Sequence, residues 1–288
     1  MPLDPDKLLA FKIPDVEQTY SPKDCILYAL GVGLGLDPLD VNQLAFVTEK
    51  NLKVLPTYAL VQGYAPYWIF EADAGVTREK TVHGEQGLIL HEPVAPSGTV
   101  ISRNRIVDVV DKGKDKGALV YSELQVIDKA SGRLLATLNQ TTFCRADGGF
   151  GAPATKRDTP PPYALPDRAP DMVCDLPTRP EMALIYRLSG DLNPLHADPE
   201  FAKAGGYPRP ILHGLATFGV AGHALLKSVC GYQPQRMKAM SGRFSAPVFP
   251  GETIRTEIWR DGGIISFRAR VVERGVVAIN NGRAEITD

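Results

Sequence analysis

No stretch of about 18 consecutive apolar residues occurs anywhere in this 288-residue chain, so no membrane-spanning helix is expected. The start, MPLDPDKLLAFKIPD, lacks the apolar core of a secretory signal. The final residues, EITD, carry no recognisable peroxisomal address. Charge of one sign is also missing. The 32 Lys and Arg nearly cancel the 33 Asp and Glu, leaving a formal net charge of −1. Such a balance gives no general field for nucleic acid or anionic lipid, so any bound anion must be met by a local cluster. Cysteine is sparse. Cys25, Cys144, Cys174 and Cys230 lie far apart, and the absence of a C-x-x-C pair speaks against a zinc ribbon or a redox couple. They read as isolated, reduced thiols of an intracellular protein. What is present is a hydrophobic content of 44%, enough for a core and too much for a disordered chain. The 27 glycines and 24 prolines favour turns and strands over long helices. The length itself suggests two domains, or one large one.

Eight of the prolines fall between Pro153 and Pro180. Pro160 to Pro162 cannot form helix or central strand. Residues 147–170 therefore read as a surface linker between an N-terminal part, 1–146, and a C-terminal part, 171–288. The two parts resemble each other. PVAPSGTV (93–100) matches PVFPGETI (247–254), and PKDCILYALG (22–31) matches PEMALIYRLS (180–189). LPTYALV (55–61) matches LATFGVA (215–221), and Ala136 and Asn139 match Ala278 and Asn281. These pairs keep the same order, with offsets that drift as loop insertions would make them, which indicates an internal duplication. β-Rich runs are expected at 99–111, 117–128 and 133–145, and again at 251–260, 262–273 and 276–286. Leu215, Phe218, Gly222, Leu225 and Val229 form one stripe of a helix over 214–230. Each half is thus expected to be a helix wrapped by a curved antiparallel sheet, an α+β architecture.

The segment YRLSGDLNPLHADPE (186–200) concentrates the useful chemistry. Asp191 and His196 flank Asn193 and Pro194. The proline ends local helix, so both side chains can enter one cavity from a turn. A carboxylate and an imidazole facing one water form an acid–base pair, and the ordinary histidine pKa of about 6.5 suits proton transfer near neutrality. Spacing alone is equally compatible with a capping aspartate and a surface histidine. The duplication tips the balance, because Gly33, Gly35 and Pro38 occupy the matching positions in the first half, whose turn forms without the polar set. The block YPRPILHG (207–214) then enters the helix. The free N–H groups of that first turn can hold a developing oxyanion, and Gly214 leaves room for a carbonyl. His213 and His223 read as structural or surface residues. The histidines and acids show no metal-ligand spacing. In the first half, HGEQG places His83 and Gly84 before a strand. VDKGKDKG (110–117) sets Lys112, Lys114 and Lys116 in a hairpin that reads first as a solvated turn and, more sharply, as a phosphate contact. Arg243 and Phe244 offer a cation and a flat apolar wall.

The run YRLSGDLNPLHADPEFAKAGGYPRPILHGLATFG, with HGEQG, VDKG, GGFG (148–151) and RFSAPVFPGETI, resembles the MaoC-like (R)-specific enoyl-CoA hydratases, in particular the hydratase 2 domain of peroxisomal multifunctional enzymes. The resemblance spans nearly the whole chain. It implies a double hot-dog fold whose N-terminal half has lost its catalytic residues and makes room for bulky acyl chains. It implies reversible hydration of a trans-2-enoyl-CoA to a (3R)-3-hydroxyacyl-CoA without a cofactor. Asp191 and His196 would then activate water, Asn193 would orient them, and the Gly214 amide would hold the thioester oxygen. His83, Gly84, Lys112, Leu192, Pro194, Leu195, Arg243 and Phe244 would line the thioester site. A homodimer is implied too, with no nucleic-acid or membrane partner, in the bacterial cytoplasm or, in a eukaryote, the peroxisome. A carrier-protein dehydratase would run the same chemistry in reverse. A hot-dog thioesterase is disfavoured because no acidic residue lies in 214–230, and a non-catalytic acyl-CoA binder because the Asp191, Asn193, His196 and Gly214 set is intact.

Overall fold

The computed structural model describes residues 3–65, 68–151 and 162–287. Helices are α1 (Pro5–Ala10), α2 (Pro22–Gly31), α3 (Val41–Leu44), α4 (Trp68–Glu71), α5 (Met182–Tyr186), α6 (Pro199–Ala204) and α7 (Gly214–Ser228). Strands are β1 (Val16–Tyr20), β2 (Thr81–Leu90), β3 (Gly98–Asp111), β4 (Ala118–Asp128), β5 (Leu134–Cys144), β6 (Met172–Pro177), β7 (Met237–Phe244), β8 (Thr253–Asp261), β9 (Ile264–Val271) and β10 (Val277–Ile286). The β-rich runs read from sequence coincide with β3, β4, β5, β8, β9 and β10 to within a few residues.

All ten strands form one antiparallel sheet in the order β1-β3-β4-β5-β2-β7-β10-β9-β8-β6. That order is palindromic about the β2–β7 pairing: each half contributes the same five strands in the same sequence. The halves meet through register pairs such as Gln86 with Gly242 and Leu88 with Met240. Alternation builds the inner face. In β9, Ile265, Phe267, Ala269 and Val271 are all fully buried. This is the double hot-dog, α+β architecture. The described ends of the linker are not free. Tyr163 shares a hydrogen bond with Ser266 at 2.9 Å, and Trp259 donates to the Arg168 carbonyl at 2.8 Å. Residues 152–161, including the triple proline, lie outside the described residues.

α7 is the central helix. Every residue from Leu215 to Leu226 is buried, which is the signature of a helix enclosed on all sides rather than lying on a surface. Its glycines permit that enclosure. A Cβ on Gly219 would meet Val32 at 2.6 Å, and one on Gly222 would meet Thr57 at 2.7 Å. The expectation of a matching helix in the first half is corrected here. The segment aligned with 215–221 is only a short 3-10 turn, Pro56–Val61. The tight approach of this segment to α7, where Thr57 lies against Gly222, leaves no room for a second long helix, and α2 with this turn takes its place. The turns also differ. Gly33 and Gly35, aligned with Asp191 and Asn193, have φ of +88° and +72°, a conformation absent from Asp191 and Asn193. The first half therefore makes its turn on a different backbone path. One large core includes Tyr28, Tyr58 and Leu88 from the first half with Phe218, Ile265 and Phe267 from the second. A smaller one gathers Leu8, Trp68, Val109 and Val120. All four cysteines are buried and unpaired.

Candidate active site

The turn that carries Asp191, Asn193 and His196 is built by local hydrogen bonds. Gly190, at φ +124°, ends the preceding 3-10 turn and redirects the chain. The Asp191 carboxylate accepts from the Asn193 amide at 3.2 Å, and the Asn193 side chain accepts from the Leu195 amide at 3.1 Å. Pro194 opens a single 3-10 turn that ends at His196. Asp198 caps α6 just beyond. A strap formed by residues 211–213 then closes over this turn. The Ile211 amide donates to the Leu195 carbonyl at 3.3 Å, His196 Nδ1 donates to the Ile211 carbonyl at 2.8 Å, and His213 Nε2 donates to the Asp191 carbonyl at 3.1 Å. On its other side the Leu212 amide is held by the Val248 carbonyl at 2.7 Å.

These bonds fix tautomers. With Nδ1 bound to a carbonyl, His196 leaves Nε2 free to accept a proton. The His196 and His213 rings stack with centroids 3.6 Å apart and planes 28° apart. Burial lowers the pKa of His196, while the Asp191 charge and the Ile211 carbonyl pull it back up. Burial, then the neighbouring His196, holds His213 down at about 2, so it stays neutral at working pH. Burial likewise lowers His83 to about 4. Donor atoms of Asp191, His196 and His213 lie within 4.8 Å of one another. Two of the four ring nitrogens, His196 Nδ1 and His213 Nε2, are already bonded to backbone carbonyls. A carboxylate and a free imidazole nitrogen this close can exchange a proton through one water.

A cavity of about 300 Å³ opens in front of the turn. Seven of the residues singled out from the sequence line it: His83, Asp191, Asn193, Leu195, His196, Gly214 and Phe244. Gly214 begins α7, and the first intrahelical bond is Thr217 N–H to the His213 carbonyl. The amide ahead of that bond is free to serve a ligand, and a Cβ at Gly214 would lie 3.5 Å from the Phe244 ring. His83 meets the same ring edge-on at 4.8 Å.

The other five do not line the cavity. Gly84 sits at a register shift between β2 and β5, where its role is to let the strand pass the Thr141 carbonyl. Pro194 shapes the turn from behind, and Leu192 points outward at 55% exposure. Arg243 is exposed on β7. Lys112, Lys114 and Lys116 are exposed on the β3–β4 hairpin, which Gly149 and Gly151 clasp through their amides to Asp111. Sequence reasoning missed Arg145, Tyr207, Thr142 and Val248 in the cavity wall, and Tyr64, Trp68, Ile69 and Phe70 from the segment around α4. Tyr207 and Val248 lie within the blocks YPRPILHG and PVFPGETI without having been singled out there, and the others stand in no motif. Only the fold brings them together.

Two family models match the chain: the MFE-2 hydratase 2 N-terminal domain over residues 18–146 and the MaoC like domain over residues 163–282. The chain is 39% identical to enoyl-CoA hydratase 2, peroxisomal, of Arabidopsis thaliana, across 93% of this chain and 91% of that relative. The chain belongs to the MaoC-like hydratase 2 family. A second member, 3-hydroxyacyl-thioester dehydratase Y of Mycobacterium tuberculosis, is 41% identical across 94% of this chain and 92% of its own. Among solved structures, a MaoC-like dehydratase from Phytophthora capsici superposes with a TM-score of 0.86 at 35% identity, covering 98% of each chain.

Proposed function

We propose that the protein hydrates trans-2-enoyl-CoA thioesters to (3R)-3-hydroxyacyl-CoA, reversibly, as a hydro-lyase. The observation that carries this is the meeting of the Asp191–His196 turn and the Gly214 amide across one cavity. Water held between the Asp191 carboxylate and His196 Nε2 gives its oxygen to C3, and a proton reaches C2. The pair thus serves both as base and as acid. Negative charge that gathers on the thioester oxygen as the π bond between C2 and C3 opens is met by the Gly214 N–H at the positive end of α7. Asn193 and the strap hold the pair in place. Membership of a family with relatives named as hydratase and dehydratase supports this chemistry in either direction.

The substrate reads as an acyl-CoA thioester. Arg145 at the cavity wall and the exposed lysines of the β3–β4 hairpin are the cations available to its phosphates. The N-terminal half, 1–146, supplies walls of the acyl site, and 171–288 supplies the chemistry, with 147–170 joining them. A homodimer and a cytoplasmic setting in a bacterium, or a peroxisomal one in a eukaryote, complete the reading. Among the described residues no helix is long and apolar enough to cross a membrane. The test is hydration of crotonyl-CoA and longer trans-2-enoyl-CoAs, with product chirality determined. An R product confirms the proposal; an S product or no turnover ends it. The same chains carried on acyl-carrier protein separate a carrier-dependent dehydratase from a CoA enzyme.

A further inference from the structure

Behind the catalytic cavity lies a second, smaller one of about 30 Å³. The two share Tyr64, Trp68, Leu215 and Gln140 as walls, so the small cavity adjoins the large one, and Asp191 and His196 line only the larger. It lies under the first half's sheet, where the second half is packed with apolar side chains. Its floor is polar. Gln86 on β2 faces Gln140 on β5, and Gln140 faces Ser122 on β4, so three polar side chains stand in one cross-strand row. Asn104 on β3 borders the same space. The second half shows what a closed core looks like at this point. There Gly282, which aligns with Gln140, faces the fully buried Phe267.

Gln86 and Ser122 are only 4% and 5% exposed. Asn104 Oδ1 is cut off from solvent and has no hydrogen-bond partner among the described residues. A buried acceptor left without a donor is costly, as is a plain alkyl chain laid against a polar row. A cavity of this volume takes a small polar group such as a hydroxyl.

Building on the hydratase reading, we infer that this cavity is a specificity subsite for a hydroxyl group carried on the acyl chain. The hydroxyl donates to Asn104 Oδ1 and accepts from Ser122 Oγ, and the enzyme thereby favours enoyl thioesters with an oxygenated chain over plain ones. A site built around a substrate hydroxyl discriminates strongly against the analogue that lacks it, because its polar groups are then left unpaired.

The test compares kcat/KM for two matched series of trans-2-enoyl-CoAs of increasing chain length, one plain and one hydroxylated at the chain terminus. The expected result is a preference for the hydroxylated chain of about tenfold or more, confined to the lengths that reach the cavity. In Asn104→Leu and, as the milder change, Ser122→Ala, the ratio between the two series falls to within about twofold. No preference at any length in the wild-type protein, or one that persists in both variants, overturns the inference. Crotonyl-CoA is too short to reach the subsite, so its hydration by the wild-type protein reports on the hydratase reading alone. Loss of that activity defeats the reading, whereas a flat hydroxyl response with crotonyl-CoA still turned over defeats only the subsite.

Discussion

Asp191 and His196 are the residues on which the proposed chemistry turns. Asp191→Asn and His196→Gln are each expected to lower kcat by on the order of 10²–10⁴, the usual scale for acid–base groups. Circular dichroism should show the fold intact, and near-wild-type turnover in either variant would remove that residue from the mechanism. Neutral His196 is the form able to take the proton from water. Because burial lowers its pKa, the acidic limb of kcat/KM should fall below the ordinary histidine value of about 6.5. His213 should affect that limb without touching substrate. Its ring covers His196 and ties the Asp191 carbonyl to the start of α7. In His213→Ala, renewed hydration of His196 should move the limb upward in pH. A misplaced turn should reduce kcat about 10²-fold. An unmoved limb with unchanged kcat would mean that His213 merely fills space. The contrast explains what could be read from sequence. Asp191, Asn193 and His196 sit within one short turn, so their chemistry is visible in the chain itself. His213 reads as structural or surface because its contact to His196 is made only when the strap folds back.

At the scale of elements, the long helix is legible from its stripe of apolar residues, and its observed end at Ser228 is close to the expected one. The missing helix of the first half was not legible, since LPTYALV aligns with the α7 sequence almost position for position. The close packing of this segment against α7 decides otherwise. Gly219 makes that packing possible, because a Cβ there would overlap Val32 at 2.6 Å. Val32 is β-branched and fully buried, so it has little freedom to withdraw. Gly219→Val is therefore expected to cost about 1–3 kcal/mol, despite removing a poor helix former, through overpacking. Equilibrium denaturation measures the change, and a variant as stable as the parent would show that the interface between α7 and α2 can relax.

The palindromic sheet makes the molecule one unit at the largest scale, which the length alone left undecided. Since the large core takes residues from both halves, thermal unfolding should be a single cooperative transition in calorimetry, and two resolved transitions would separate the halves. Acid should weaken that unit through its buried histidines. His213 and His223 are each 1% exposed. Burial holds them at about 2 and about 4. Unfolded, both regain a pKa near 6.5. Above that pH neither state binds the protons, and their contribution to stability is whole. As pH falls below about 6.5, the unfolded chain takes up protons that the folded chain refuses at His213, at His223 and also at His83, which burial holds at about 4. Each of them lowers stability by about 1.4 kcal/mol per pH unit at the steepest. The slope eases below about 4, where His83 and His223 titrate in the folded protein as well, and His213 carries the rest down toward 2. Urea midpoints measured across this range should fall steadily from pH 6.5 to 4 in the wild-type protein. They should fall about one third less steeply in His223→Gln, whose amide cannot titrate. An equal slope in both proteins would locate the acid sensitivity outside the central helix.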